Sequence, residues 1–88
     1  MLHVRKQDKP TAVTLFKKAT ELGPDNPQNW YIYALALDSV GQTKSALNVL
    51  KKAIKRQPDN SLISLGLSLS QKIGDEASYR LFQSKARR

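Results

Sequence analysis

Trp30, Tyr33, Ala34 and Leu37 recur at spacings of three, one and three residues, which puts four apolar side chains on one face of a 3.6-residue helix. Ala46, Leu47, Leu50, Ala53 and Ile54 form a second one-sided stripe, and Leu62, Leu65 and Leu69, with Ile63, Leu67 and Ile73, a third. The punctuation between them is that of helix ends. Asn26 followed by Pro27 pairs a capping side chain with a residue already set to helical φ and lacking the N–H that a first turn leaves orphaned. Gly41 supplies a left-handed stop, Thr43 offers a cap for the next helix, Pro58 ends it, and Asp59 and Asn60 offer the cap after that. The pattern predicts helix, short turn, helix, short turn.

Sliding the chain along itself by 34 positions superposes Ala12 to Asn26 on Ala46 to Asn60, with seven of the fifteen pairs identical: Ala12 with Ala46, Lys17 with Lys51, Lys18 with Lys52, Ala19 with Ala53, Pro24 with Pro58, Asp25 with Asp59 and Asn26 with Asn60. Where identity lapses the apolar face persists, as in Phe16 with Leu50 and Leu15 with Val49. A fixed period of this size marks units that stack to bury a continuous core.

These residues resemble the tetratricopeptide repeat, whose pattern is Trp, two residues, Leu-Gly, two residues, Tyr, then Ala, three residues, Phe, then Pro. Trp30, Tyr33-Ala34, Leu37, Ala46, Leu50, Ala53 and Pro58 stand in that register, with Tyr33 for Leu, Leu37 for Tyr and Leu50 for the aromatic. The resemblance implies an all-α superhelix of antiparallel helix pairs, about five helices in one domain. Residues 1–26 are expected to form a partial first repeat, 27–60 a complete one, and 61–88 a divergent carboxy-terminal repeat and cap. The stretch 12–26 reads as a second helix, leaving Met1 to Lys9 room for only a shortened first one. In the last unit Ser64 stands where Trp belongs. Its final helix can be aligned through Ala77 and Leu81 or carry its stripe on Tyr79 and Phe82. Tyr31 to Gly41 is also similar to carboxy-terminal repeat arrays attached to bacterial multihaem cytochromes, which implies a bacterial source and a longer parent chain.

Composition narrows the chemistry. The 88 residues contain no cysteine and one histidine, His3, so thiolate catalysis, cysteine-ligated zinc, histidine triads and two-histidine metal sites are excluded. Gly23, Gly41, Gly66 and Gly74 are scattered and form no phosphate-cradling motif. Of the acids, Asp25, Asp59 and Asp75 fall where helices start; Asp38 does not, and is expected to be solvated or paired. The expectation is a non-catalytic protein with no cofactor and no small-molecule substrate. Its longest apolar run, Trp30 to Leu37, is far short of the roughly 20 residues a bilayer requires, and the amino terminus has no signal-peptide core, so a cytoplasmic location is expected.

What remains is surface. In tetratricopeptide arrays first helices line a concave face that holds segments of other proteins. The resemblance implies Gln28, Tyr31, Leu35 and Asp38 there from the middle unit and Leu62, Leu65, Leu69 and Lys72 from the last. This groove is apolar, suited to a partner peptide or helix. The same leucines have a second reading as core, or as a face covered by a second copy in a homodimer. Charge is uneven: residues 1–41 carry five basic and four acidic side chains, residues 42–88 ten and three. Lys51, Lys52, Lys55 and Arg56 form a basic patch that suits acidic partners and offers, as an alternative, a nucleic-acid surface, though no aromatic is interleaved to stack bases.

Overall fold

The computed structural model describes the backbone of residues 2–87 and the side chains of residues 11–86. Five helices follow in order: α1 (Leu2–Leu22), α2 (Pro27–Ser39), α3 (Thr43–Arg56), α4 (Asn60–Ile73) and α5 (Glu76–Arg87), with no strand among the described residues. In place of a short first helix before a second one, α1 is a single helix that runs through Pro10. The side chains of His3, Arg87 and Arg88 lie outside the described residues.

Helix ends follow local chemistry. Asn26 caps α2 by accepting from the Gln28 N–H at 3.0 Å, and Asp59 caps α4 by accepting from the Ser61 N–H at 2.8 Å. Asp75 accepts from both the N–H and the hydroxyl of Ser78 at the start of α5. Gly41 and Gly74, at φ 84° and 71°, take the left-handed turns after α2 and α4. Two expected caps differ. Thr43 lies inside α3 and spends its hydroxyl elsewhere, as described below, while Asp25 pairs with Arg56 at 3.2 Å. The α1–α2 turn is fastened by side chains: Trp30 Nε1 donates to the Pro24 carbonyl at 2.8 Å, and Asn29 Nδ2 donates to the carbonyls of Ala19 and Gly23.

Each helix packs on the next, and α2 also touches α4. The thinnest Cα dimension, 15 Å, is what two layers of helices give when their axes are about 10 Å apart. The core joins Ala34 and Leu37 of α2, Ala46, Leu47, Leu50, Ala53 and Ile54 of α3, Leu62, Ile63, Leu65 and Leu69 of α4, and Phe82 of α5.

The last unit follows a different step. Buried Ala34, Leu37, Ala46 and Leu50 find their counterparts in Gly66, Leu69, Ser78 and Phe82, each 32 residues on instead of 34. One residue is lost in the turn, since α4 is capped immediately after Pro58 whereas α2 is capped two residues after Pro24; the other is lost because Leu62 is the third residue of α4 and Trp30 the fourth of α2. Phe82, fully buried, therefore carries the final stripe, while Ala77 and Leu81 face outward. A Cβ at Gly66 would lie 2.5 Å from two carbons of the Phe82 ring, so glycine here is a requirement of packing. Replacement of Gly66 by Ala is expected to cost about 1–3 kcal/mol in urea denaturation, with part of the loss recovered by adding Phe82→Leu. An unchanged midpoint in the single variant would show that this contact is not tight.

Candidate partner-binding site

Gln28, Tyr31, Leu35 and Asp38 share one face of α2, because the opposite face is committed to the core through Ala34 and Leu37. Gln28 is exposed, Leu35 is 40% exposed, and Tyr31 is half-buried with its ring packed against the core cluster. An open hollow of about 440 Å³ lies beside this strip, lined by Asn26, Pro27, Gln28, Tyr31, Asp59 and Ser61. Its floor is the pair of capped amino-terminal ends of α2 and α4, so polar groups meet one aromatic ring. Asn26 and Asp59 were legible in the sequence only as helix-start residues, and Ser61 was not singled out; nothing local says that two such starts come side by side.

The α4 half of the expected groove is not there. Leu62, Leu65 and Leu69 are 0%, 9% and 4% exposed and belong to the core, because the shorter step of the last unit rotates them inward. Asp38 and Lys72, expected as groove residues, are brought together. Lys72 Nζ donates to Asp38 Oδ1 at 2.9 Å and to Oδ2 at 3.2 Å, and the Thr43 hydroxyl donates to Oδ1 at 2.6 Å. One carboxylate thus ties the end of α2 to the start of α3 and the last turn of α4.

The Thr43 hydroxyl, and after it the Lys72 ammonium, hold the Asp38 carboxyl below the ordinary carboxylate range, outweighing its partial burial. Asp75 is lowered as well, by its hydrogen bonds from Ser78.

On α3, exposed Lys52 and Lys55 have no carboxylate in an ion pair with them among the described residues, half-buried Lys51 lies near enough to Asp75 to help lower its pKa, and Arg56 is engaged by exposed Asp25. Such an exposed pair contributes little to stability. Among the described residues no three His, Cys, Asp or Glu side chains are grouped to hold a metal, and no helix is long and apolar enough to cross a membrane.

Compared with known families, residues 7–69 match the model of the tetratricopeptide repeat, well over half of the chain. The chain belongs to the tetratricopeptide repeat family. Tetratricopeptide repeats generally mediate protein–protein interactions and are typically non-catalytic. Neither curated proteins nor solved structures gave a match to this chain.

The depressed Asp38 value sets a sign. A carboxylate whose folded pKa lies below its unfolded value of about 3.9 contributes stability above that pH and loses it as pH falls through the folded value. Asp38→Asn is therefore expected to be less stable than the parent at pH 7 and to lose less on acidification below about pH 4. The remaining acid loss comes from groups such as Asp75. Urea midpoints at pH 7 and pH 3 check this, and equal acid losses in both proteins would refute it.

Proposed function

We propose that this tetratricopeptide domain is a non-catalytic interaction module that holds a short segment of a partner protein along the inner face of α2. Exposed Leu35 and half-buried Tyr31, one turn apart beside the hollow, carry this reading: an aromatic with a polar tip next to an open aliphatic side chain is a surface suited to recognition. The partner places an apolar side chain on Tyr31 and Leu35 and directs hydrogen-bond donors to the amide and carboxylate oxygens of Gln28, Asn26 and Asp59. Leu62, Leu65 and Leu69 support the groove from behind, and the Asp38–Lys72 pair closes one end of it.

The alternative, a nucleic acid on the outer face, draws on the basic residues Lys51, Lys52, Lys55 and Arg56, of which Lys52 and Lys55 are exposed and in no ion pair among the described residues. One experiment separates the two. Peptides selected from a random phage-displayed library against the intact chain are expected to lose at least tenfold in affinity on Leu35→Asp, with melting unchanged because Leu35 is exposed. They are expected to tolerate Lys51→Ala with Lys52→Ala. The measurement is isothermal titration calorimetry. Retention of affinity in Leu35→Asp contradicts the proposal. An oligonucleotide that binds through the lysines, and whose affinity collapses between low and moderate salt, moves the function to the outer face.

A further inference from the structure

Three surface hollows differ in the sign of the charge that lines them. The one beside Tyr31 holds the Asp59 carboxylate and no cation, and one at the α4–α5 turn, with Gly74 and Tyr79 in its wall, holds the carboxylates of Asp75 and Glu76 and no cation. The third lies on the outer layer between the carboxy-terminal ends of α3 and α5. It measures about 490 Å³ and is lined by Ile54, Lys55, Pro58, Ser84 and Lys85, two cations and no carboxylate.

This hollow follows from the spacing of the second helices. Lys44 and Lys51 of α3 act on Asp75 at the start of α5, and Ile54 and Lys55 share the hollow with Ser84 and Lys85 near its end, so the two helices run side by side in the same direction. They pack on each other less than α2 and α4 do on the inner layer, which leaves a groove between them. The nearby acids are committed elsewhere: Asp25 pairs with Arg56, and Asp59 caps α4. Neither Lys55 nor Lys85 is in an ion pair among the described residues. The carboxy-terminal end of α3 supplies the equivalent of roughly half a negative charge, less than the two ammonium groups outweigh it by. The rest of the lining is apolar. Buried Ile54 and exposed Pro58 form the floor, and Leu81, 37% exposed, stands on the same face of α5 as Ser84 and Lys85, three and four residues before them.

We propose that this hollow docks an acidic segment of a partner protein, with a bulky apolar residue seated on Ile54 and Pro58 and Asp or Glu on either side of it paired with Lys55 and Lys85. The apolar residue leaves water as it enters, and the flanking carboxylates fix its register between the two lysines. A nucleic acid answers the charge alone, since no aromatic lines the hollow to stack a base. The surface lies on the opposite layer from Tyr31 and Leu35 and is independent of the segment held there.

The test titrates the intact, isotope-labelled 88-residue chain with an acetylated synthetic peptide, Asp-Glu-Asp-Phe-Asp-Glu-Asp, and follows amide chemical shifts by NMR. Saturable shifts at the ends of α3 and α5, around Lys55 and Ser84, are expected. Affinity should fall at least roughly tenfold when serine replaces the phenylalanine of the peptide. It should fall at least roughly tenfold again for a Lys55→Glu, Lys85→Glu chain, and that chain should in turn prefer the peptide Lys-Arg-Lys-Phe-Lys-Arg-Lys. Ser84→Phe, which fills the hollow and keeps both lysines, should weaken the acidic peptide as well. All three positions are exposed, so melting temperatures stay those of the parent. Leu35→Asp leaves this binding unchanged. Absence of saturable shifts, equal affinity for the serine peptide, or binding retained by the charge-reversed chain overturns the proposal. Shifts centred on Tyr31 and Leu35 overturn it by moving the peptide to the inner face. An oligonucleotide that binds more tightly than the peptide, depends on the same two lysines and ignores Ser84→Phe assigns the groove to nucleic acid and likewise overturns it.

Discussion

Close approach of paired helices at small residues is the constraint on which this structure depends. Ala34, Ala46 and Ala53 in the middle pair and Gly66 and Ser78 in the last are almost fully buried at the helix contacts, leaving room for one large side chain between the axes. In the last pair that side chain is Phe82, whose ring stands against Gly66; Leu50 and Ala34, at the equivalent spacing in the middle pair, are both fully buried in the core. Close packing makes such exchanges coupled: neither partner can change size alone without a void or an overlap. The depth of this contact also fixes the rotation of each helix, and with it which side chains are left for other proteins.

That rotation explains what could and could not be read from the chain. The phase of α2 was legible because Trp30, Tyr33, Ala34 and Leu37 recur on one face, which leaves Gln28, Tyr31 and Leu35 on another. The phase of α4 was not. Leu62, Ile63, Leu65, Leu67 and Leu69 are apolar on two neighbouring faces, so hydropathy does not choose between a step of 34 and one of 32. The choice is made by volume, through Gly66 and Phe82, which are sixteen residues apart and meet only once the pair has closed. Extending the step of 34 put three core leucines in the groove. The Asp38–Lys72 pair was hidden for a related reason, since it requires α2 and α4 to be adjacent, a property of the stack and not of either helix.

The surfaces divide by layer. The inner face carries a narrow strip, Tyr31 and Leu35, ending in a polar hollow between two capped helix starts; its charged end is neutralised internally. The outer layer carries exposed Lys52 and Lys55 on α3 and exposed Leu15 and Leu22 on α1. A basic excess of +8 attracts acidic surfaces at a distance by its field.

The register of the final pair is tested most directly by nuclear Overhauser contacts of the Phe82 ring in the intact chain. Strong contacts from the ring protons to the Gly66 α protons, with those protons shifted upfield by the ring, are the expected result. Contacts to Gly66 from the Leu81 methyl groups, with the Phe82 ring giving none to α4, would contradict it.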